Sequence, residues 1–204
     1  MTAAFSCHLN IVNNLIEVGA DVNKRNDKGT TALIYAAQLG YLEIVTKLIN
    51  TGASVNQVDK HGSTALMNAA QFGHLEIVTT LIEAGANVDL VNNLGGTALM
   101  IVALHGHLDV VSRLIDAGAN VNLANNLGRT ALMYAADKGH LDVVNRLIDA
   151  GSDVNLASNN GFTAIMAAAD KGHLNIVNRL INAGANVNLA YNNGCTVLMY
   201  AAMK

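Results

Sequence analysis

The chain repeats itself with a period of 33 residues, and this period constrains its fold more than any other feature. Threonine and glycine columns recur from one end of the chain to the other without a slip of register. The threonine column comprises Thr31, Thr64, Thr97, Thr130, Thr163 and Thr196, and one glycine column comprises Gly40, Gly73, Gly106, Gly139 and Gly172. A register this strict predicts a solenoid, in which each unit packs only on its neighbours.

The repeat 128–160 indicates how one unit folds. Thr130 is placed to cap a short helix by accepting a backbone N–H bond, and Gly139 is placed to end that helix. Leu141 and Leu147 belong to an apolar stripe at helical spacing, which predicts a second helix. The stretch that follows is rich in asparagine and glycine, as turns are. We expect two antiparallel helices and a projecting turn or hairpin per repeat, so the predicted architecture is all-α.

Helices this short are unstable alone in water, so neighbouring repeats must cover their apolar stripes. Paired alanines in the first helices would let adjacent helices approach closely. These pairs are Ala36-Ala37, Ala69-Ala70, Ala135-Ala136 and Ala168-Ala169, with Val102-Ala103 as the one departure. The predicted core therefore runs along the whole stack without a domain boundary.

The repeated pattern G-x-T-A-L-x-x-A-A-x-x-G-H-L-x-x-V-x-x-L-I-x-A-G-A-x-V-N resembles the ankyrin repeat over essentially the whole chain. The resemblance implies an all-α ankyrin-repeat solenoid of stacked helix–turn–helix units. One motif departs from the family, because its usual Thr-Pro-Leu-His stands here as Thr-Ala-Leu-Met or a close variant. Alanine lacks the preorganised backbone of proline, so the first helix should depend more on packing.

The register divides the chain into one array with incomplete repeats at its ends. The expected units are a partial repeat 1–28, full repeats 29–61, 62–94, 95–127, 128–160 and 161–193, and a partial repeat 194–204. Met1 falls inside a first helix, and the segment 8–12 matches 74–78 at the start of a second helix. Neither end has the polar outer face of a capping repeat, which suggests a fragment of a longer array or a deliberately uncapped one. Exposed ends also suggest end-to-end self-association.

Composition argues against several classes of function. The net charge of −3 lacks the positive field that nucleic-acid binding needs, and no apolar run approaches the ~20 residues of a membrane span. The N-terminus lacks the features of a signal peptide. Cys7 and Cys195 lie nearly six repeats apart, too far for a disulfide. We therefore expect no nucleic-acid or membrane partner and an intracellular, cytoplasmic setting.

The histidines raise the question of a metal site. His74, His107, His140 and His173 share one column, but stacked helices lie ~8–10 Å apart, too far for a common metal. We expect each to form hydrogen bonds at the turn between its two helices. His105 and His107 flank a helix-ending glycine, so their rings should diverge. No catalytic motif is present, and we expect neither metal, cofactor nor enzymatic activity.

Acidic and basic residues four apart suggest ion pairs within the second helices. These pairs are Glu43–Lys47, Asp109–Arg113 and Asp142–Arg146. Such pairs stabilise an exposed helix by a few tenths of a kcal/mol. They predict a solvated face rather than a catalytic one.

An asparagine column follows each second helix. It comprises Asn23, Asn56, Asn122, Asn155 and Asn188, with Asp89 in the same column. We expect these side chains to bond the adjoining turns. The resemblance implies an alternative, because some ankyrin repeats are hydroxylated at this asparagine, with a leucine eight residues earlier. Asn23 and Asn155 are the better candidates, since each also has an aspartate two residues before it.

The resemblance implies that a protein partner binds on the concave face of the first helices and at the turn tips, where the columns vary. The predicted partner-binding residues are Leu39, Phe72, Leu104, His105, Arg129, Asp137, Lys138, Phe162, Asp170 and Lys171. This face is apolar in its first half and alternates in charge in its second. An apolar patch beside a charged one is a plausible protein-binding surface, although unselected surface drift would also produce variable columns.

The sequence thus favours a non-enzymatic protein–protein interaction module. Two alternatives stay open: a designed or consensus-like repeat scaffold, and a region that recruits substrates for a larger enzyme or effector. The repeats are alike enough for a designed scaffold. Asn175 and Asn182, which replace aspartates of other repeats, instead suggest drift after duplication. The flanking sequence would separate these possibilities.

Overall fold

The computed structural model describes residues 2–202, with the side chains of residues 2–7 excepted, and within that range it contains twelve α-helices. The helices are α1 (Thr2–Glu17), α2 (Ala32–Leu39), α3 (Leu42–Asn50), α4 (Ala65–Gln71), α5 (Leu75–Glu83), α6 (Ala98–His105), α7 (Leu108–Asp116), α8 (Ala131–Lys138), α9 (Leu141–Asp149), α10 (Ala164–Asp170), α11 (Leu174–Asn182) and α12 (Val197–Ala202). Three of the loops between repeats also contain a single antiparallel bridge, as between Val58 and Thr64. The loops are therefore narrow hairpins rather than sheet.

The helices form two layers whose order in space follows their order in the chain. The even-numbered helices α2 to α12 are the first helices of the repeats, and each contacts the next even-numbered helix. The odd-numbered helices α1 to α11 contact one another in the same way, and each repeat pairs one helix from each layer. This arrangement confirms the predicted all-α solenoid.

The threonine column starts the first helices as predicted. Thr31, Thr64, Thr97 and Thr130 each accept a hydrogen bond on Oγ1 from the backbone N–H three residues later, at 3.2–3.4 Å. Each threonine thereby satisfies one of the donors that a helix start leaves unpaired. Thr163 is the exception, because its buried Oγ1 accepts no such bond.

The glycine column ends the first helices in the left-handed conformation, with φ of +80° at Gly106. The backbone N–H of Gly106 donates to the carbonyl of Val102, which closes the helix. A second constraint comes from the neighbouring repeat, since a Cβ on Gly106 would lie 2.6 Å from the imidazole ring of His140. Gly40, Gly73 and Gly139 face a histidine ring in the same way, whereas Gly172 is constrained by its backbone angle alone.

Small and flexible apolar side chains fill the space between layers. Ala69 and Ala70 are fully buried, which allows neighbouring first helices the close contact expected from the alanine pairs. Met67, Met100 and Met133 are 1–3% exposed, so the methionine in the family's histidine position belongs to the core. Burying a side chain of this size contributes ~1.5–3 kcal/mol, in agreement with first helices that depend on packing.

The N-terminal segment differs from the alignment with the other repeats. That alignment places a first helix and then a second helix in residues 1–12, but α1 is one continuous helix from Thr2 to Glu17. Position 7, which corresponds to the helix-ending glycine column, is Cys7. Without a glycine, the chain has no residue that readily takes the left-handed turn, and the helix continues. Met1 and the side chain of Cys7 lie outside the described residues.

The predicted ion pairs within the second helices are wrong. Arg146 pairs at 2.6 Å with Asp116, and Arg113 pairs at 3.9 Å with Glu83, both on the preceding second helix. Among the described residues, Glu43 and Lys47 form no ion pair with each other either. The helix rule counts neighbours on one helix, whereas a long arginine also reaches across the ~8–10 Å between packed helices. Such exposed pairs are worth only ~0–1 kcal/mol each.

Across residues 2–202 we find no helix that combines the length and the apolar character needed to cross a membrane.

Candidate protein-binding surface

Eight of the predicted partner-binding residues lie at the ends of the first helices, next to the turn into the second helix. We call this set the turn-end patch; it comprises Leu39, Phe72, Leu104, His105, Asp137, Lys138, Asp170 and Lys171. The other two, Arg129 and Phe162, lie on the loops that enter α8 and α10. An eight-residue helix is ~12 Å long, so the structure separates the predicted surface into two regions.

The first half of the turn-end patch is apolar and open to solvent. Leu39 is 57% exposed and Phe72 is 47% exposed, while Leu104 is half-buried beside the exposed His105. The Phe72 ring stacks on that of His74, with 6.1 Å between their centroids, so the phenyl ring is held in place without being covered. Exposed apolar groups fixed in this way are what partner-binding surfaces present.

The second half of the turn-end patch carries two adjacent acid–base pairs. The Lys171 ammonium lies 3.1 Å from the carboxylate of Asp170, and that of Lys138 lies 3.7 Å from the carboxylate of Asp137. Both lysine side chains are about half exposed, whereas the aspartates are largely covered. Each pair is neutral overall, and its lysine is the group that a partner would meet first.

The histidine column fixes the backbone beneath the patch. Nε2 of His107 lies 3.2 Å from the carbonyl oxygen of Gln71, the residue before Phe72, and His140 makes the same contact with Leu104 at 3.3 Å. His74 and His173 make the same contact, and in each case the carbonyl belongs to the residue 36 positions earlier. The expected hydrogen-bonding role is confirmed, with the partner in the preceding repeat. These bonds satisfy carbonyls that a helix end leaves unpaired.

The rings of His105 and His107 do not diverge as expected. They lie parallel, with an interplanar angle of 4° and 6.2 Å between centroids. Each ring is held by its own acceptor, since Nδ1 of His105 lies 2.8 Å from the Ile101 carbonyl and His107 binds the preceding repeat. Two independent backbone contacts therefore align rings that the intervening glycine was expected to separate.

The loop region contains an aromatic cluster around Arg129. The Arg129 guanidinium lies 5.3 Å from the ring centroid of Tyr134 and 5.6 Å from that of Phe162, which are cation–π distances. Phe162 in turn lies 6.1 Å from Tyr191 and 6.4 Å from Tyr200, both edge to face. Rings in this geometry attract one another beyond the area they bury.

These side chains border a cleft of about 410 Å³ between the last loops and the first helices. We call it the aromatic cleft, and define it by Leu127, Arg129, Asn160, Phe162, Tyr191 and Tyr200. Tyr191 and Tyr200 were not among the predicted partner-binding residues. A signal for Tyr191 was available, because it stands in a column otherwise occupied by Asn, Asp or Ser.

Hydrogen bonds preorganise one wall of the cleft. Asn160 accepts on Oδ1 from the Ser158 hydroxyl at 2.6 Å and donates from Nδ2 to the Tyr191 hydroxyl, also at 2.6 Å. Partial desolvation here raises the pKa of Tyr200 above its ordinary value of 10, and the negative charges of Tyr191, Cys195 and Asp170 in their ionised forms add to the shift. Tyr200 is therefore a neutral hydrogen-bonding group at physiological pH.

The asparagine column links consecutive loops. Asn155 donates from Nδ2 to the Gly184 carbonyl at 3.1 Å and accepts on Oδ1 from the backbone N–H of Asn186 at 2.7 Å. Asn23 makes the same two bonds, to Gly52 at 3.0 Å and from Ser54 at 2.8 Å. The expected bonding to adjoining turns is confirmed. The candidate hydroxylation sites are thus structural bridges whose side chains lie at the surface.

A second, larger groove of about 770 Å³ lies at the C-terminal end of the stack. Its apolar walls include Leu174, Val187 and Leu198, which are 68%, 39% and 75% exposed. At the other end, Ile11 and Leu15 of α1 are about half exposed. Both ends of the described array therefore present apolar side chains to solvent.

Within the described part of the chain, no three His, Cys, Asp or Glu side chains are grouped so that they could hold a metal ion. The four column histidines instead each lie against a backbone carbonyl, as described above. Cys195 is a free thiol of intermediate exposure.

The model of the family described as ankyrin repeats matches three times, at residues 1–92, 81–158 and 146–204. Together these matches cover the chain from end to end. The chain belongs to the ankyrin-repeat family. Ankyrin repeats are generally protein–protein interaction modules, and the match indicates no catalytic family.

The solved structures include a similar protein. The crystal structure of the ankyrin repeat domain of Bcl-3, described as a unique member of the IkappaB protein family, superposes with a TM-score of 0.83. The two sequences are 26% identical, and the alignment covers 98% of this chain and 90% of the Bcl-3 chain. No match was found among curated proteins.

Proposed function

We propose that this ankyrin-repeat array binds a protein partner across the exposed face of its first helices and the loops that precede them. One observation carries the proposal: exposed, variable side chains lie on a backbone that the same inter-repeat contact fixes in four of the five full repeats. Phe72 is the clearest case, since its ring is 47% exposed while the carbonyl just before it is bound by His107. A rigid scaffold with variable side chains loses little conformational entropy on binding.

The chemistry of the turn-end patch favours a mixed partner surface. Leu39 and Phe72 would pack on an apolar segment of the partner, and Lys138 and Lys171 would meet its acidic rim. Interfaces commonly combine an aromatic or aliphatic centre with a polar edge. We place the protein inside the cell, because its two cysteines offer no disulfide framework.

Affinity purification followed by a matched pair of variants tests this proposal. The full chain is used to capture a partner from its source cell, and Phe72→Arg is compared with wild type in a direct binding measurement. We expect binding to fall by at least about 30-fold, because a central apolar anchor is replaced by a charge. The free energy of unfolding should change by less than about 0.5 kcal/mol, since the ring is at the surface.

Leu75→Arg is the matched control. Leu75 is also exposed, at 36%, but it begins the second helix α5 and thus belongs to the other layer. The variant should bind the partner as wild type does. A partner that binds Phe72→Arg with unchanged affinity would exclude the turn-end patch.

A second use of the array is as a substrate for an asparaginyl hydroxylase at Asn23 or Asn155. Both side chains lie at the surface of the loops, which supports access by an enzyme, although each must release two inter-repeat bonds first. After incubation with such an enzyme, a tryptic peptide containing Asn155 should gain the mass of one oxygen. An unmodified peptide would exclude this use.

The exposed ends support self-association of the chain. Ile11 and Leu15 at one end and the groove beside Leu198 at the other both expose apolar side chains, which head-to-tail contact would bury. Sedimentation should show a weight-average mass that rises with protein concentration, and Leu198→Glu should suppress the rise. A strict monomer at high concentration would contradict it.

A further inference from the structure

The aromatic cleft concentrates side chains that the rest of the chain uses sparingly. The protein has only three phenylalanines, five tyrosines and no tryptophan, and four of these eight rings belong to one cluster with Arg129. Tyr134 and Phe162 lie beside the guanidinium, and Tyr191 and Tyr200 lie beside Phe162; the last three rings line the cleft. Aromatic and arginine side chains are the residues most often found at the energetic centres of protein interfaces. The clustering marks this region as different from the other loops of the stack.

Arg129 differs from every other arginine of the chain. The remaining four each have an oxygen acceptor: Arg25 binds the carbonyl of Val58, and Arg113, Arg146 and Arg179 pair with Glu83, Asp116 and Asp149. The guanidinium of Arg129 contacts only the rings of Tyr134 and Phe162 in the described structure. Its side-chain N–H donors are therefore available, and the two rings lie at cation–π distance from the guanidinium.

The cleft is of a size to accept one or two side chains. Its volume of about 410 Å³ lies at the lower end of the range for binding pockets, and its described lining residues include no carboxylate. Among these lining residues Arg129 carries the only formal charge, and Asp170, whose charge acts on Tyr200 from outside the lining, is paired with Lys171. The Arg129 side of the cleft therefore favours a negative group beside an apolar one. The bridge through Asn160 fixes the position of Tyr191 before any ligand arrives.

We propose that the aromatic cleft binds an extended peptide segment of the partner that carries an aspartate or glutamate next to a large apolar residue. The side-chain carboxylate accepts a paired hydrogen bond from the Arg129 guanidinium, and the apolar residue packs on Phe162, Tyr191 and Tyr200. The planar guanidinium matches a carboxylate in geometry as well as in charge.

A single-stranded nucleic acid would also use arginine and stacking rings, but it needs a positive track along its backbone. At the opposite ends of α8 and α10, Lys138 and Lys171 are paired with Asp137 and Asp170, and the chain carries a net charge of −3. The charges thus favour a peptide. This inference rests on the proposed interaction function and specifies the chemistry of one part of its surface.

A random dodecapeptide library displayed on phage, selected on the full chain, tests this inference. Displayed peptides have no free C-terminus, so any carboxylate they offer comes from a side chain. We expect enriched sequences in which Asp or Glu lies within about two residues of a large apolar residue. Synthetic copies with amidated C-termini should lose at least about tenfold in affinity for Arg129→Gln and for Tyr200→Ala.

Arg146→Gln is the matched control, because it removes an arginine of similar exposure from the second-helix layer. Arg146→Gln should leave the peptide affinity unchanged. Arg129→Lys should bind the peptides more tightly than Arg129→Gln but more weakly than wild type. Thermal unfolding of each variant verifies that the fold is retained. A selection without enriched acidic–apolar peptides, tighter binding of a fluorescent oligonucleotide than of any peptide, or enriched peptides that bind Arg129→Gln as tightly as wild type would overturn the inference.

The outcomes separate this inference from the broader function. Peptides that are insensitive to Arg129→Gln but lost on Phe72→Arg would place binding at the turn-end patch, supporting the interaction function while refuting the role of the cleft. If peptides bind the cleft as described but the captured protein partner does not compete with them, the inference fails as a description of that partner.

Discussion

The two ends of the first helices are built differently. At the turn end, one contact recurs four times with little change, from a histidine to the carbonyl 36 residues earlier at 3.2–3.3 Å. At the loop end, backbone and asparagine bonds also recur, but individual positions depart from the pattern, as Asp89, Ser158 and Tyr191 do. Variation at the turn end thus leaves the repeated backbone contact unchanged, whereas variation at the loop end alters the hydrogen bonds between loops and accompanies the aromatic cleft.

The largest loss of stability is expected from disrupting the contact between glycine and histidine at the turn end. Gly106→Ala places a Cβ 2.6 Å from the His140 ring and keeps a left-handed φ of +80°. Strain and overpacking together should lower the free energy of unfolding by about 2–4 kcal/mol. Urea denaturation followed by circular dichroism measures this loss.

The control is Gly118→Ala, at a glycine with φ of +86° and no atom within 4 Å of the added Cβ. It should cost only the backbone strain, about 1 kcal/mol. Equal losses for Gly106→Ala and Gly118→Ala would mean that the histidine contact places no constraint on the glycine column.

A smaller loss of unfolding free energy is expected at the loop end, where several neighbouring hydrogen bonds join consecutive loops. Asn155→Ala removes two inter-repeat hydrogen bonds and should cost about 1–2 kcal/mol in the same denaturation experiment. Asn188 lies in the same column, but only its backbone N–H takes part in a hydrogen bond. If Asn188→Ala lowers the free energy of unfolding as much as Asn155→Ala does, the hydrogen bonds between loops contribute nothing measurable to stability.

A modest gain in stability is expected when asparagine is restored at the one aspartate of the asparagine column, Asp89. Asp89 accepts a bond from the Asn120 backbone N–H at 3.0 Å but has no amide to donate to the next loop. Asp89→Asn should therefore stabilise the chain by about 0.5–1 kcal/mol, seen as a higher urea midpoint. A lower midpoint would show that the aspartate is preferred where it stands.

The smallest effect concerns the ionisation of Tyr200 in the cleft. Its pKa is raised in the folded state, so its contribution to stability is full below pH 10 and is lost as the pH rises through the folded-state pKa. A spectrophotometric titration of the folded protein should show one tyrosine that ionises late and that disappears in Tyr200→Phe. Identical difference titrations of the two proteins would contradict the partial burial of this ring.

The sequence predicts both boundaries of the first helices well and the contacts between repeats only in part. Threonine caps and helix-ending glycines follow from residues whose preference is local, so the fold could be derived from the period. The histidines were expected to form hydrogen bonds, but their acceptors 36 residues earlier, in the preceding repeat, were not expected. The arginine ion pairs could not be derived from the period. Arg146 can reach either Asp142 on its own helix or Asp116 on the neighbouring helix, and the structure pairs it with Asp116. Position 7 lacks the helix-ending glycine, which is consistent with one continuous α1, but the alignment with the other repeats predicted two helices there.

The sequence places Arg129 and Phe162 in one column of the period, but it does not show that Tyr191 and Tyr200 contact Phe162. Phe162 and Tyr191 are 29 residues apart, and Phe162 and Tyr200 are 38 apart, so neither pair shares a column of the 33-residue period. Their contact depends on how a loop of one repeat lies over the next first helix. The stacking of repeats brings the two tyrosines onto Phe162, which itself lies beside Arg129.

Hydrogen exchange of the full chain, alone and with its captured partner, tests the central claim most directly. We predict slower exchange on binding in the loops before α8 and α10 and at the C-terminal ends of α2, α4 and α6, with no change in the second helices α5, α7 and α9. Protection confined to those second helices would contradict a binding surface on the first helices and loops.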